Sequence, residues 1–260
     1  MTNLRIHDIT WAELMAADID REIAFYKAVL GVEAEKSPGG YYDLTIDGKS
    51  VAGAMQLTEE MGDMPPVWST YVAVADADAT MEAVKAAGGM ILRDPFEIEI
   101  GGRTAVIADP THGALCVFES SGDEIMGFQR FGETGAPCWF ECMSTDLHAT
   151  KDFLESVFGW TATPLPPDMG GDEMEYYMLS NGGDGMVCGL MGMPDHMAGA
   201  PTHWVNYFVV DNNDAACEIA KANGGTVVAE PWDTLFGRMS AIADPGGATL
   251  MLCQLPDEQP

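Results

Sequence analysis

The amino-acid sequence contains one long internal repeat, and this repeat constrains the fold more than any other feature. The segment WAELMAADIDREIAFYKAVLGV, which starts at Trp11, returns as WFECMSTDLHATKDFLESVFGW, which starts at Trp139. Further matching segments begin in pairs at Tyr41 and Tyr176, Val51 and Val187, Pro65 and Pro201, and Gly102 and Gly237. A repeat of this length indicates two tandem copies of one domain rather than a solenoid of short units.

The composition indicates a globular chain and argues against two classes of partner. Hydrophobic residues make up 47% of the 260 residues and charged residues 20%, which is the balance of ordinary folded domains. The formal net charge is −29, with only 12 lysine and arginine residues. Nucleic acids and anionic membranes attract cationic surfaces, so we expect a small-molecule ligand rather than either of these partners.

The sequence shows no targeting or membrane segment. The N-terminal MTNLRIHDITW lacks the apolar run of a signal peptide, and no other run approaches the length of a membrane span. The six cysteines form no C-x-x-C pair, and none aligns with another across the repeat. We therefore expect a cytoplasmic protein with free thiols, with a disulfide framework as the alternative.

Each copy of the repeat divides again into two similar units. In the first unit, a helix is predicted to begin after a capping Asp18 or Asp20 and to end at Gly31. The order strand–helix–strand–strand–strand then recurs near residues 7–60, 66–120, 136–193 and 202–254. This alternation of strands and helices predicts an α+β fold.

Turn-forming residues mark the boundaries between these units. EEMGDMPP separates the first two units, GMPDHMAGAP separates the last two, and SSGDEIMGFQRFGETGAP joins the two copies. We predict domain 1 at residues 1–122, a polar and glycine-rich linker at 123–135, and domain 2 at 136–256.

Several motifs carry a resemblance to a known superfamily. They are AFYKAVLGV and DFLESVFGW after an Asp-capped turn, V-x-D-x-D before a helix that ends in Gly-Gly, and G-R-(x)5-D-P near each domain end. Together they resemble the vicinal oxygen chelate superfamily, which contains glyoxalase I, extradiol dioxygenases, fosfomycin-resistance enzymes and bleomycin-binding proteins. Its tandem glyoxalase-like members are the most similar. The resemblance implies that paired units form a curved, eight-stranded mixed sheet, a cup that holds the substrate.

The resemblance also implies where a divalent metal would be held, on His, Glu or Gln side chains of opposed strands. The three expected positions in each domain are occupied by Trp11, Ser69 and Val117 and by Trp139, Val205 and Met251. None of these six residues is a convincing ligand, so we predict that neither cup binds a cofactor.

A rival register keeps a divalent metal as an alternative. Residues two apart on a strand share a face, so Glu13 with Glu119, or Glu141 with His203, could supply donors to the same cups. A catalytic site normally needs about three protein ligands, and neither pair reaches that number.

The repeated W-x-E motif supplies the best polar candidates. It places Glu13 and Glu141 on the same strand face as the neighbouring indoles, and we predict that each carboxylate lines its cup. Burial would raise its pKa and make it a general base, or an anchor for a ligand hydroxyl or amine. The alternative is a structural carboxylate that is bonded by a nearby arginine or tyrosine.

Aromatic and basic residues, most of which recur in both copies, are the predicted walls of the ligand site. Aromatic rings on facing strands could clamp a flat or apolar ligand, although such residues also pack in protein cores. The predicted ligand-binding residues are Trp11, Tyr42, Trp68, Tyr71 and Arg103 in domain 1, and Trp139, Tyr177, His203, Trp204, Tyr207 and Arg238 in domain 2.

We predict a tandem glyoxalase-like protein that binds or converts a small hydrophobic or carbonyl-bearing molecule in its cups. Two alternatives from other classes stay open: a metal-dependent lyase, isomerase or dioxygenase, and a non-catalytic interaction or sequestering protein. The duplication supplies both halves of a pair internally, so a monomer or a weak homodimer is expected. Because the fold alone does not choose among these functions, the choice depends on the site.

Overall fold

The computed structural model describes residues 4–98, 101–122, 124–171, 174–183 and 185–256. These residues form two eight-stranded mixed sheets, one from each half of the repeat. The strand–helix–strand–strand–strand unit occurs four times along the chain, which confirms the α+β fold predicted from the sequence.

Sheet 1 is built from the first half of the chain around two central antiparallel strands. Its elements are β1 (Ile9–Ala16), α1 (Ile19–Leu30), β2 (Glu33–Lys36), β3 (Tyr42–Ile46), β4 (Lys49–Gln56), β5 (Val67–Ala73), α2 (Ala77–Ala86), β6 (Met90–Glu97), β7 (Gly102–Ala108) and β8 (Ala114–Ser120). The strand order is β2-β3-β4-β1-β5-β8-β7-β6, with β1 antiparallel to β5. Each central strand is also parallel to the last strand of its own unit, β4 or β8.

Sheet 2 repeats this arrangement in the second half of the chain. Its elements are β9 (Pro137–Ser144), α3 (Leu147–Phe158), β10 (Thr161–Pro164), β11 (Tyr176–Ser180), β12 (Cys188–Gly192), β13 (His203–Val209), α4 (Asn213–Ala222), β14 (Thr226–Thr234), β15 (Gly237–Ala243) and β16 (Thr249–Gln254). The order β10-β11-β12-β9-β13-β16-β15-β14 matches that of sheet 1 strand for strand.

The first helix of each domain begins and ends at residues that the repeat shares. Asp18 and Asp146 are the N-caps, and each side chain accepts a hydrogen bond from a backbone N–H in the first turn. Gly31 and Gly159 follow the last turns with φ of 72° and 65°, a left-handed conformation that glycine adopts readily. The predicted limits of α1 are confirmed, with Asp18 as the cap rather than Asp20.

Strand alternation gives each sheet two unlike faces. On β1, Leu14 is fully buried in the core that includes the helices and the other domain. Trp11 and Glu13 lie on the opposite face, which we call cup 1. The equivalent face of sheet 2, which carries Trp139 and Glu141, is cup 2. The candidate chemistry of both domains therefore lies on the faces turned away from the shared core.

The two domains pack through their helix-bearing faces. The rings of Trp68 on β5 and Phe208 on β13 have centroids 5.1 Å apart. Thr70 donates a hydrogen bond to the side-chain oxygen of Asn206 at 3.0 Å. Helix α1 contacts α4, and α2 contacts α3. One apolar core therefore runs through both domains.

The Asp-Pro turn of each domain reaches the first helix of the other domain, with different chemistry on the two sides. Asp109 accepts a hydrogen bond from the Thr150 hydroxyl of α3. Asp244 accepts the phenol of Tyr26 on α1 at 3.1 Å. Glu22, which the repeat aligns with Thr150, is fully buried near Asp244, and its Oε2 has no hydrogen-bond partner among the described residues. Burial raises the pKa of Glu22, two hydrogen bonds from the Arg21 guanidinium to Oε1 lower it in part, and the charge of Asp244 raises it further.

Neither disulfides nor membrane-spanning helices contribute to the described part of the chain. All six cysteines are free thiols, and five of them are buried. No helix in the described ranges is long and apolar enough to cross a membrane.

Candidate functional site

The base of cup 1 is a hydrogen-bonded network of three aromatic side chains around one carboxylate. Tyr71 on β5 donates to Glu13 Oε1 at 2.7 Å. Tyr41, the residue just before β3, also hydrogen-bonds the carboxylate of Glu13. The Trp11 indole N–H donates to the phenol oxygen of Tyr41 at 2.9 Å, which leaves the phenol proton for the carboxylate.

Cup 2 contains the same network at the repeated positions. Tyr207 on β13 donates to Glu141 Oε1 at 2.9 Å. Tyr176 also hydrogen-bonds Glu141 and accepts the indole N–H of Trp139 at 3.1 Å. We call the two sets cup network 1 and cup network 2. Because one tryptophan, one glutamate and two tyrosines meet in the same way in both domains, the network is a property of the repeat and not of one sheet.

A glycine on the neighbouring strand makes room for the first tyrosine of each network. A Cβ added at Gly53 on β4 would lie 1.7 Å from the phenol oxygen of Tyr41. A Cβ added at Gly189 on β12 would lie 1.8 Å from that of Tyr176. Real atoms cannot approach so closely, so each network requires glycine at this position. The glycines recur in VAGAM and VCGLM, which is the sequence signal that could have revealed them.

Burial sets the protonation of both networks. Glu13 is 6% exposed and Glu141 5%, and this burial raises the pKa of each carboxyl, while the tyrosine hydrogen bonds lower it in part. Burial also raises the pKa of Tyr71 and Tyr207 well above the usual phenol value. The phenols therefore stay protonated donors, and each carboxyl can hold a proton at a higher pH than an exposed one.

The walls of the two cups differ. In cup 1, Tyr71, Cys116 and Phe118 form a small apolar cluster against which Trp11 and Val106 pack. Burial raises the pKa of the Cys116 thiol to about 12, so this cysteine is not an activated nucleophile. This cluster lies on strands β5 and β8, next to the tyrosine network on the face of cup 1.

In cup 2, Met251 takes the place of Cys116. A methionine pair is common to both cups, as Met15 beside Met55 in cup 1 and Met143 beside Met191 in cup 2, and cup 2 has further methionines. Strand pairing sets Met143 beside Met191, Met178 beside Gly189, Met251 beside Tyr207 and Met239 beside Cys253. These pairings, with the alternation of each strand, place five methionine side chains on the same face as Glu141. Four of them are partly exposed, so cup 2 presents a flexible and open apolar wall.

The structure brings only some of the predicted site residues together. Trp11, Glu13 and Tyr71 meet in cup network 1, and Trp139, Glu141 and Tyr207 meet in cup network 2. The tyrosines that complete the networks are Tyr41 and Tyr176, the first members of the two Tyr-Tyr pairs, whereas the sequence predicts the second members, Tyr42 and Tyr177, as ligand-binding residues. Their assignment to ligand binding stays a prediction.

The second tyrosines and the second pair of tryptophans lie elsewhere. The phenol of Tyr42 hydrogen-bonds Asp20, and that of Tyr177 donates to Glu175 at 3.3 Å, both at the surface. Trp68 is buried between the domains, where its indole N–H donates to Tyr26 at 2.8 Å. Trp204 packs against the same shared core.

The two repeated arginines link helices to the starts of strands β7 and β15 by ion pairs at the surface. Arg103 donates to the carboxylate of Asp78 on α2 at 2.8 Å. Arg238 donates to Asp214 on α4 at 2.7 Å. Because these carboxylates are exposed, both pairs are surface ion pairs of small energetic weight. The partners of Glu13 and Glu141 are tyrosines.

The expected metal positions need one correction. Strand β8 pairs Cys116 with Tyr71, so Cys116 faces cup 1, while Val117 faces the shared core. The sequence count was displaced by one residue because the two Asp-Pro turns carry their glycines at different places. Glu119 shares the face of Val117, where its carboxylate accepts the N–H of Ala77 at 2.8 Å and caps α2. Glu13 and Glu119 therefore lie on opposite faces of sheet 1 and cannot bind the same metal ion in cup 1.

The donors that face the cups do not resemble a chelate. His203 lies on the face of cup 2, but it pairs in register with Met143, and its ring nitrogen contacts the carbonyl of Pro201 at 2.8 Å. Glu141 pairs with Val205 instead. No group of three or more His, Cys, Asp or Glu side chains within the described ranges could hold a metal ion.

Comparison with known sequences identifies the family. A sequence model of the Glyoxalase/Bleomycin resistance protein/Dioxygenase superfamily matches residues 6–118 and 139–252. The chain belongs to this superfamily. The matched segments correspond to sheet 1 and sheet 2, and the match confirms the resemblance drawn from the sequence motifs.

Full-length relatives occur within the superfamily. "Putative glyoxylase CFP32" of Mycobacterium tuberculosis is 32% identical over 256 residues, which cover 96% of this chain and 95% of that protein. The anthracycline biosynthesis protein DnrV of Streptomyces peucetius is 29% identical over 266 residues, which cover 96% of this chain and 94% of that protein. Both similarities extend over the two domains of this chain.

Solved structures of the superfamily share the fold. The Mn(II)-bound glyoxalase from Novosphingobium aromaticivorans has a TM-score of 0.64 at 17% identity, covering 98% of this chain and 86% of that one. The 2,2',3-trihydroxybiphenyl 1,2-dioxygenase from Sphingomonas wittichii has a TM-score of 0.61 at 13% identity, covering 97% and 92%. At such low identity the likeness concerns the fold and not the chemistry of the site.

Proposed function

We propose that this protein binds a small, planar and largely apolar molecule in its cups, through a hydrogen bond to Glu13 or Glu141 and without a metal. The observation that carries this proposal is the duplicated cup network, in which a buried carboxyl receives two phenol hydrogen bonds. A fully hydrogen-bonded buried network holds its members in one geometry, and here a tryptophan, two tyrosines and a glycine position the carboxyl in the same way in both domains.

The protonation of the carboxyl suggests what it does to a ligand. A carboxyl with a raised pKa accepts a hydrogen bond from a ligand hydroxyl when ionised and donates one to a ligand carbonyl when protonated. The same group can move a proton to or from a bound carbonyl compound as a general acid or base. The phenols of Tyr71 and Tyr207 hold it in place during that exchange.

Cup 2 is the better candidate of the two. Its methionine wall can adapt to rings of different outline and favours contacts between sulfur and aromatic faces. In cup 1 the apolar cluster of Tyr71, Cys116 and Phe118 takes the corresponding place. The name of DnrV supports the same ligand class, because anthracyclines are fused-ring aromatic compounds that bear hydroxyl and carbonyl groups. We therefore assign the ligand to cup 2 and to Glu141.

Titration with 1-hydroxyanthraquinone tests the proposal, with ligand absorbance and tryptophan fluorescence as readouts. The Glu141→Gln variant is expected to bind the probe about tenfold more weakly, since a hydrogen bond to a charged or protonated carboxyl is lost. Glu175→Gln, at an exposed glutamate of the same domain, is the matched control and should bind as the unmodified protein does.

Two outcomes of this titration would contradict the proposal. Equal affinity of the unmodified protein, Glu13→Gln and Glu141→Gln would make both carboxyls structural groups. Binding of the probe that disappears after dialysis against a chelator and returns with Mn²⁺ would contradict the proposal that the ligand binds without a metal. Retained affinity after chelation is the expected result.

A further inference from the structure

Each sheet has an opening between the first and the last strand of its first unit. The parallel pairing of β1 with β4 begins only at Glu13 and Gly53. The pairing of β9 with β12 likewise begins at Glu141 and Gly189. The residues before these points diverge, and each opening leads from the surface toward the shared core.

The linker between the domains fills the opening of domain 1. The backbone N–H of Phe128 donates to the carbonyl of Thr10 at 2.9 Å, and that of Gln129 donates to the carbonyl of Ser50 at 2.8 Å. The Gln129 side-chain oxygen accepts the backbone N–H of Ser50 at 3.0 Å. Phe128 is 2% exposed, so an extended segment with one aromatic ring closes this opening.

The opening of domain 2 contributes to a groove with a volume of about 220 Å³, which the N-terminal residues Leu4, Arg5, Asp8 and Ile9 line on one side. Phe140 and Val187 line it, and the ring of Phe140 lies 5.6 Å from that of Phe128, so the groove continues the aromatic stack of the linker. At its rim, Phe131 is 43% exposed and Met186, which the repeat aligns with Ser50, is 48% exposed. Large apolar side chains that stand in water around a cavity mark an interaction site.

We propose that this groove binds an extended segment of a partner protein, whose aromatic side chain enters it as Phe128 enters the opening of domain 1. The volume supports a single side chain, because sites for drug-sized molecules occupy about 300–1,000 Å³. The groove is continuous with the site where the linker segment packs on domain 1, because Phe140 stacks on Phe128, and this supports a peptide segment as the occupant. Arg5 and Asp8, the charged residues that line the groove, form an ion pair with each other. The net charge of −29 of the whole chain then favours a segment with a positive charge and disfavours a second copy of this chain.

A peptide with the sequence of residues 125–130, IMGFQR, tests this proposal because it carries one phenylalanine and one arginine. Fluorescence anisotropy of the labelled peptide against the full chain is expected to show saturable binding. Met186→Asp should weaken that binding by about tenfold, because it places a charge on the apolar rim. Met174→Asp is the matched control, since Met174 is 47% exposed outside the groove, and its binding should not change.

Each other outcome would overturn the proposal. These outcomes are no saturable binding, equal binding of the peptide IMGAQR, or equal losses in the Met186→Asp and Met174→Asp variants. Binding of free indole or phenol that survives saturation with the peptide would assign the groove to small molecules instead. Thermal unfolding of both variants shows whether they are folded, and Phe131→Ser gives a second change at the rim, for which weaker binding is expected.

Discussion

The two cups have the same base and different walls. In both, a tryptophan and two tyrosines surround a buried glutamate next to a glycine, with matching hydrogen bonds of 2.7 and 2.9 Å from Tyr71 and Tyr207. Beyond this base, cup 1 has a compact cluster around Cys116, and cup 2 has methionines such as Met251. The hydrogen-bonded network is therefore a property of the repeat. The domains differ in the side chains that line each cup beyond this network, and so in the ligands that each cup can bind.

The contact between the domains likewise combines equivalent backbone positions with different side chains. The two Asp-Pro turns occupy equivalent places, and each carboxylate accepts a hydroxyl from the other domain. Thr150 satisfies Asp109 directly, whereas its counterpart Glu22 adds a second buried carboxyl beside Asp244. Backbone geometry has stayed alike in both halves while side-chain chemistry has diverged.

The largest expected effect tests whether cup network 1 and cup network 2 resist a change at their glycines equally. Gly53→Ala and Gly189→Ala should each lower the free energy of unfolding by about 2–3 kcal/mol, because the new Cβ would overlap the phenol of Tyr41 or Tyr176. Urea unfolding measures both, and Gly192→Ala, with no atom within 4 Å of the added Cβ, is the control. A loss confined to one domain would show that the other network rearranges freely.

The second prediction separates the two sides of the contact between the domains. Thr150→Val should cost about 1.5–3 kcal/mol at neutral pH, because Asp109 loses a buried hydrogen bond. Glu22→Gln should instead stabilise the protein by about 1 kcal/mol at neutral pH. It removes a buried charge near Asp244, and the amide oxygen of glutamine can still accept the hydrogen bonds that Arg21 donates to Glu22.

The pH dependence of Glu22 gives the sign of this effect. Its pKa is raised in the folded state, so its favourable contribution is complete below the ordinary value of 4.5 and is lost as the pH rises through the raised value. Urea unfolding between acid and neutral pH should show the stability of the unmodified protein falling relative to Glu22→Gln. Parallel profiles for the two proteins would contradict the raised pKa.

The smallest expected effect concerns the walls of the cups. Met251→Cys gives cup 2 the residue that cup 1 has at the paired position, and the affinity for 1-hydroxyanthraquinone should fall about threefold. Cys116→Ala, the matched change in cup 1, should leave the affinity unchanged. A larger loss from Cys116→Ala than from Met251→Cys would move the ligand to cup 1.

The repeat made much of this structure predictable from the sequence. It located both domains, the Asp18 cap and Gly31 end of α1, and the two W-x-E strands, because these features depend on local hydrogen bonds and on short periodicities. It also predicted that Glu13 and Tyr71 face the cup, since each lies well inside a strand with clear alternation. These elements needed no knowledge of distant contacts.

Other parts of the site depended on the phase of a strand, which local sequence does not fix. In the Tyr-Tyr pairs, which ring faces the cup depends on where β3 and β11 begin, and pairing with β4 and β12 sets that point. In the same way, the turn before β8 decided that Cys116 and not Val117 faces Glu13.

The sequence by itself determined two copies of one α+β domain, each with a carboxylate and aromatic residues on the same sheet face. Only the tertiary structure decided which aromatic side chains meet that carboxylate, that Trp68 belongs to the contact between the domains, and that the linker closes one opening while the other stays a groove. The physical reason is that strand and helix periods arise from neighbouring residues. Strand phase and domain packing arise instead from contacts between residues far apart in the chain.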